Sequence, residues 1–347
     1  MDGVVDRLGS AGFTSSIAFT VADTTVTVAD VILSGIASGE WPSFVGETDR
    51  ALKALAEVET PPSVELVRAA GERFRRQRGL LTADDLAAWL EARGLGPDDL
   101  AASMERRVVA RPGESPTAPP ESPALREAVE VDAWTSGVLE GCARRLLDRV
   151  VAARLTQVAE PADPEQADEL VAPVREDPTD VATMAEDTLR PALGRVLAWE
   201  AAYRAFAAEA ATPARVAAVI DEHRSDWTTF TFDLLPSPSE EVAKEIRLAV
   251  RDDGADLEQL SATLGLEPRR LEQVATDIEP ATLAALVSAA PGELLPAIPR
   301  DGRWALVSVV AKRHPTADDP TFVDRATAVV VEDALRATRG ELADWRL

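Results

Sequence analysis

Along most of this chain the apolar residues recur every three to four positions, the spacing of one buried helix face. Alternating runs break that pattern at three places. The first, residues 16–28 (SIAFTVADTTVTV), is β-branched with Ala22-Asp23-Thr24 as a turn, and it predicts a short hairpin. Helical periodicity follows over residues 28–38 and 43–57, until Pro61-Pro62 stops it; Ser63 then caps a helix reaching about Arg78. Thr82 is followed three residues later by Asp85, close to a capping box, and Leu86, Trp89 and Leu90 form an apolar stripe that Gly94 ends. Pro97 opens the next helix, with Asp98 and Asp99 at its positive end and Arg106 and Arg107 toward the other.

Residues 111–123 (RPGESPTAPPESP) hold five prolines and no apolar period, which predicts a linker or long loop. Helical pattern resumes over residues 125–159 and 180–211, separated by the acidic, Pro-containing stretch 160–178. Pro191 is expected to kink or break the second of these. A short helix covers residues 213–224. From Ser225 the texture changes: Thr228, Phe230, Phe232 and Leu234 point one way along a strand, and Thr229, Thr231 and Asp233 the other. Val242, Ile246, Ala249 and Val250 mark one helix face, and Leu257, Leu260 and Leu264 the next. A helix over 281–289 leads to a strand at 304–310. The order is strand, helix, helix, helix, strand. Residues from 318 onward read as helix, with Val323, Ala326, Val330 and Leu335 as the buried stripe, and no internal repeat is visible.

A chain of 347 residues exceeds one compact core and implies two or three domains. Apolar residues make up 46%, yet there are only eight Phe, seven Trp and one Tyr, which favours helix packing over an all-β architecture. The expected fold class is α+β, predominantly helical. A net charge of −24 repels phosphate backbones and argues against nucleic acid as the partner. Lys occurs only at 53, 244 and 312, against 33 Arg, a bias that GC-rich coding and a salt-rich cytoplasm both produce. The single cysteine, Cys142, rules out an internal disulfide and fits a reducing compartment. The first residues show no secretory pattern, and no run approaches the ~18 apolar residues of a membrane span. These features lead to the expectation of a soluble, cytoplasmic protein without membrane contact.

Cys142, His223 and His314 lie too far apart in sequence for a paired zinc motif, no local motif supports a Ser/His/Asp triad, and no glycine-rich phosphate loop occurs. Neither a metal nor a cofactor is expected. The acidic pairs Asp84-Asp85 and Asp98-Asp99 read as helix starts or solvated faces. Residues 73–78 (RFRRQR) carry the densest positive charge, with Phe74 turned inward. They read either as an anchor for an acidic peptide segment or as cations paired with nearby carboxylates.

Two segments carry a resemblance. Residues 253–261 (DGADLEQLS) resemble the glycine-acidic turn of parvulin (rotamase) domains. Residues 286–296 (LVSAAPGELLP), followed by 301–307 (DGRWALV), resemble their closing helix, Pro-Gly-Glu turn and strand. The resemblance covers residues 225–314. The N-terminal part is similar to the helical chaperone region of SurA-like proteins: a small strand pair, then short helices including residues 81–107. It implies a helical chaperone-like region with a hairpin at 1–111, a Pro-rich linker at 112–124, long helices at 125–224, a small PpiC-type α+β domain at 225–314 and a helical tail at 315–347. A helix from later in the chain would complete the N-terminal core.

The resemblance also implies a site. Parvulin domains place two histidines on adjacent central strands beside an apolar pocket; here Phe232 or Asp233 stands for the first and Arg303 or Trp304 for the second, and residues 265–279 replace a longer loop. It therefore implies no catalytic residues, with Phe230, Phe232, Trp304 and Leu286 as candidate peptide-binding residues. The other reading of Phe230, Phe232 and Trp304 is the core of the small domain. The implied function is a peptide-binding chaperone or maturation helper that holds an unfolded or precursor peptide without efficient prolyl isomerisation. An active isomerase with a rearranged site, or a purely structural partner, are the alternatives. SurA-like proteins usually act outside the cytoplasm, so a cytoplasmic client would set this chain apart.

Overall fold

The computed structural model describes residues 12–58, 60–109, 123–156, 164–300 and 303–347. The expected linker lies outside them, except that Pro123 opens a helix. In chain order, β1 (Ile17–Val21) and β2 (Thr24–Thr27) precede α1 (Val28–Ala37), α2 (Glu40–Glu57), α3 (Val64–Gln77), α4 (Ala83–Glu91) and α5 (Pro97–Val109). Next come α6 (Pro123–Ser136), α7 (Val138–Leu155), α8 (Pro164–Arg175), α9 (Glu186–Ala210) and α10 (Pro213–Glu222). The remainder is β3 (Thr229–Ser237), α11 (Glu240–Asp252), α12 (Leu257–Thr263), β4 (Arg269–Val274), α13 (Pro280–Ser288), β5 (Ile298–Arg300), β6 (Arg303–Arg313), α14 (Pro320–Leu342) and β7 (Ala343–Trp345). The fold is α+β: mostly helix, with two small antiparallel sheets among the described residues. Two compact units divide it. The first takes the described part of Met1–Glu209 with Ala334–Leu347, the second Ala210–Asp333.

In the first unit, the hairpin turns tightly at Ala22 (φ 50°), so that Val21 faces Thr24. Thr27 both ends β2 and caps α1, through a capping box with Asp30. Asp30 is buried, and Arg195 of α9 donates to it at 2.5 Å, fastening α9 to the start of α1. The sheet gains a third strand that the sequence reading took as helix: β7 pairs antiparallel with β1, and Trp345 stacks on Phe19 at 5.9 Å. Three residues are too few for an alternating pattern to register. Where one helix was expected over 125–159 there are two. Gly137, at φ 84°, turns the chain between α6 and α7, in a region that side chains with a Cβ rarely enter. The acidic stretch read as a spacer contains α8, whose Ala167 and Val174 are buried. Pro191 neither ends nor splits α9: it falls in the second turn, where it removes only one backbone bond.

Close approach shapes this core. A Cβ built on Gly35 of α1 would sit 2.9 Å from the Trp41 Cβ and 3.4 Å from the Cys142 Sγ. Trp41 is fully buried, and its indole N–H donates to Asp177 at 2.6 Å. Across from it, α5 and α6 are tied by a buried ion pair: Arg106 donates to both oxygens of Asp132, each at 2.8 Å, beside a 2.6 Å hydroxyl pair of Ser103 and Thr135.

The second unit is built on a sheet of order β4-β3-β6-β5, antiparallel throughout. Its two faces bury different helices, as strand alternation requires. On one face, Phe230, Phe232, Val307 and Val309 pack with Ile278, Leu286 of α13 and Leu295. On the other, Leu235 and Leu306 pack with Ala243 and Ile246 of α11. Burying each Phe is worth roughly 1.5–3 kcal/mol. The sequence of β4, RRLEQV, carries charge in place of apolar alternation, so a strand stands where a shortened loop is expected. It is an edge strand, and Arg270 on it holds Asp233 of β3 through two 2.9 Å bonds. A separate cluster of Val216, Ile220, Trp227, Phe322 and Ala326 packs α10 and the start of α14 beside β3.

Candidate peptide-binding site

β3 and β6 lie side by side, in register from Thr229↔Arg313 to Ser237↔Trp304 with one bulge at Thr231/Phe232. The four residues singled out from the sequence are not brought together. Phe230, Phe232 and Leu286 do meet, but at 2%, 0% and 0% exposure they fill the interior of the small unit and line no open groove. Trp304, half-buried, has the strand parity of Leu306, so it lies on the opposite face of the sheet. Asp233 is engaged by Arg270. Neither histidine lies on β3 or β6: the His314 Nδ1 sits 3.0 Å from the Thr228 hydroxyl, and His223 stacks on Trp227 at 4.8 Å. Among the described residues no group of three or more His, Cys, Asp or Glu side chains could hold a metal ion, and no helix is long and apolar enough to cross a membrane.

An open concavity of about 460 Å³ lies in the helical unit instead. Its floor is the core of α3, α4 and α5, where Phe74 packs with Leu90, Leu100 and Met104 and meets Trp89 edge-on at 5.3 Å. Ser63 caps α3 by accepting from the Leu66 N–H, and the Thr82–Asp85 capping box starts α4, so both helices are fixed at their N-termini. Arg78, the C-cap of α3, crosses to α6 and α7, donating to the Trp134 carbonyl at 3.0 Å and to Glu140 at 3.3 Å. Its guanidinium lies 5.5 Å from the Phe74 ring and 5.3 Å from Trp89. Arg93 lies over Trp89 at 4.3 Å and Trp134 at 5.2 Å, and Arg107 over Phe74 at 6.0 Å. Cation–π contacts of this kind hold planar guanidiniums against aromatic faces.

The charge here is unbalanced. Arg78, Arg107 and Arg144 line the concavity; among the described residues that line it Glu140 is the only carboxylate, already shared by Arg78 and Arg144. Asp132, whose charge also acts on Arg107, has both oxygens taken by Arg106. Burial, helped by the charge of Arg78, lowers Arg93 from its usual range against the pull of Glu140. Burial also lowers Arg107, with Asp132 opposing and Arg78 adding to it. The Arg93 Nε–H is buried without a hydrogen-bond partner. A second concavity, about 610 Å³, adjoins at Ser136. Arg145 pairs there with Glu40, and burial pushes the Cys142 thiol up to about 11.

Of the 73–78 stretch, Arg75 is spent on the carbonyls of Leu80 and Leu81 and Phe74 is buried, as expected; Arg78 is the arginine of the stretch that lines the concavity, beside Phe74 and Gln77. Sequence reading missed Trp134, Arg93, Glu140 and Arg144. A partial signal exists, since Trp89 and Arg93 stand four positions apart, the spacing of neighbours on a helical turn.

No protein-family model matches this chain, and no curated protein does. Solved structures do. The peptidylprolyl isomerase PrsA of Bacillus anthracis is 12% identical, with a TM-score of 0.26 over 57% of this chain and 95% of that one. PrsA of Bacillus cereus is 11% identical, with a TM-score of 0.32 over 59% and 81%. This chain is similar in structure to PrsA and the SurA-like chaperones. A SurA-like chaperone of Campylobacter jejuni, for instance, is 11% identical, with a TM-score of 0.21 over 61% and 87%. At such values the PrsA and SurA-like structures supply no residue-by-residue correspondence to this chain.

Proposed function

We propose that this chain is a peptide-holding chaperone or maturation helper whose client, an unfolded or precursor segment, lies along the helical unit. One observation carries the reading. The concavity walled by Phe74, Trp89 and the arginines is open to solvent, whereas the interior of the small sheet is filled by its own side chains. Aromatic rings bury peptide surface at low conformational cost, since only two side-chain torsions must be fixed, and stacking already holds Arg78, Arg93 and Arg107 in place.

The proposal includes no efficient prolyl isomerisation. Rotation of a peptide bond has a barrier of ~18–20 kcal/mol, and neither histidine of this chain lines the concavity to lower it. His314 is instead engaged by Thr228 and His223 is stacked on Trp227. The buried free thiol of Cys142 supports a reducing compartment, the cytoplasm, as the site of action.

Two assays test this. Diluting a chemically unfolded client into stoichiometric protein should suppress light scattering, and Trp89→Ala should weaken that suppression. Proline-isomer exchange in a model peptide should stay at its uncatalysed rate. Unchanged scattering would end the holding reading; inhibitor-sensitive exchange would restore the isomerase.

A further inference from the structure

The arginines of the helical concavity outnumber the carboxylates available to them, and the excess is arranged around an open space. The Arg107 guanidinium makes no ion pair or hydrogen bond among the described residues; its one ring contact is Phe74. Arg78 and Arg144 divide Glu140 between them. Arg93, immediately behind, keeps a buried Nε–H unmatched. Stacking holds Arg78, Arg93 and Arg107 without neutralising them, and a fixed fork is the geometry that takes a carboxylate through two parallel bonds. Gln77 and Ser136 add neutral polar atoms to the lining.

We propose that this concavity binds an acidic side chain, Asp or Glu, of an extended client peptide, seated among Arg78, Arg107 and Arg144 with a neighbouring apolar residue against Phe74 and Trp89. The inference rests on the peptide-holding reading and narrows it to acidic clients. It runs against the long-range field, since a chain of net charge −24 attracts basic peptides and repels acidic ones. Salt separates the two effects. Screening removes the long-range field within about a Debye length, roughly 6 Å at 0.3 M, while a contact in a partly desolvated cleft persists. Binding of an acidic peptide is therefore expected to survive high salt, and binding of a basic one to disappear.

The test is fluorescence anisotropy of the full chain with labelled, C-terminally amidated peptides of one Phe/Leu/Gly scaffold carrying Glu, Gln or Lys at the same positions, in roughly 0.3 M NaCl. A Gln peptide with a free C-terminal carboxylate forms a fourth arm. The Glu peptide should bind about tenfold more tightly than the Gln peptide, the gain of one charge-assisted contact. Arg107→Gln should remove that advantage and leave the Gln peptide unaffected. Glu140→Gln, which frees Arg78 and Arg144, should strengthen Glu-peptide binding severalfold, a gain that a misfolded variant cannot mimic. Equal binding of Glu and Gln peptides, or an advantage that survives Arg107→Gln, would overturn the carboxylate site while leaving peptide holding intact. A gain confined to the free-acid Gln peptide would assign the site to a chain terminus and overturn the side-chain assignment. If no peptide binds, the peptide-holding reading itself fails.

Discussion

Replacing Arg106 with methionine removes one half of the ion pair that ties α5 to α6, and the structure sets the size of the effect. The two side chains are 8% and 11% exposed, and both Asp132 oxygens are bonded at 2.8 Å. At an effective dielectric near 20, opposite charges about 4 Å apart attract by about 4 kcal/mol. Desolvating both groups costs a similar amount, so the intact pair is close to neutral overall. Either half alone is an uncompensated buried charge. Arg106→Met and Asp132→Leu are each expected to lower stability by about 3–5 kcal/mol, and the double variant to recover to within about 1–2 kcal/mol of the original. Urea unfolding followed by far-UV circular dichroism, read on the transition of the helical unit, measures all four corners of the cycle. Single losses below about 1 kcal/mol that simply add in the double variant would refute the reasoning, since they describe a pair exposed to water.

Three further outcomes follow from the same core. Gly35→Ala sets a gain in helix propensity of about 1 kcal/mol against an atom 2.9 Å from the Trp41 Cβ. Overpacking of about 1–3 kcal/mol should prevail, and a higher melting temperature would contradict it. Burial holds Asp177 above the ordinary Asp value, although Thr179 and Trp41 donate to its carboxylate. Its folded form therefore binds a proton more tightly than the unfolded chain. The stability it contributes should be complete below about pH 3.9 and fall as pH rises through the window above that, so the advantage of the original over Asp177→Asn should shrink in that direction. An advantage that grows with pH would reverse the assignment. With its thiol pushed up to about 11 and buried, Cys142 should resist a disulfide reagent at pH 8 in the folded protein and react at once in urea; fast labelling of the native chain would show the site is open.

What the sequence made legible were features that are local. The hairpin at Ala22, the Ser63 cap, the Thr82–Asp85 box and the Pro97 helix start each depend on residues within a few positions, and all are present. Elements stabilised by partners far along the chain were missed. β4 is charged at an edge, β5 and β7 are three residues each, and a pattern that short carries no period. Gly137 was passed over because a glycine inside a helical period reads as a tolerated residue until its φ is known. The placement of the candidate residues is illegible for a related reason. Alternation identified Phe230, Phe232 and Trp304 as strand residues but could not say that Trp304 belongs to the other face, which depends on the register of β3 with β6. The arginine concavity is assembled from α3, α4, α5, α6 and α7, so only its Arg78 edge showed as a cluster in one dimension.

Hydrogen exchange read by mass spectrometry, with and without a saturating unfolded peptide, tests most directly whether the helical unit holds the client. Slower exchange is expected in the segments around Phe74 to Arg107 and Trp134 to Arg144, with β3 and β6 unchanged. Protection confined to β3, β6 and α13, with the helical segments unaffected, would move the peptide into the small sheet domain and contradict the account.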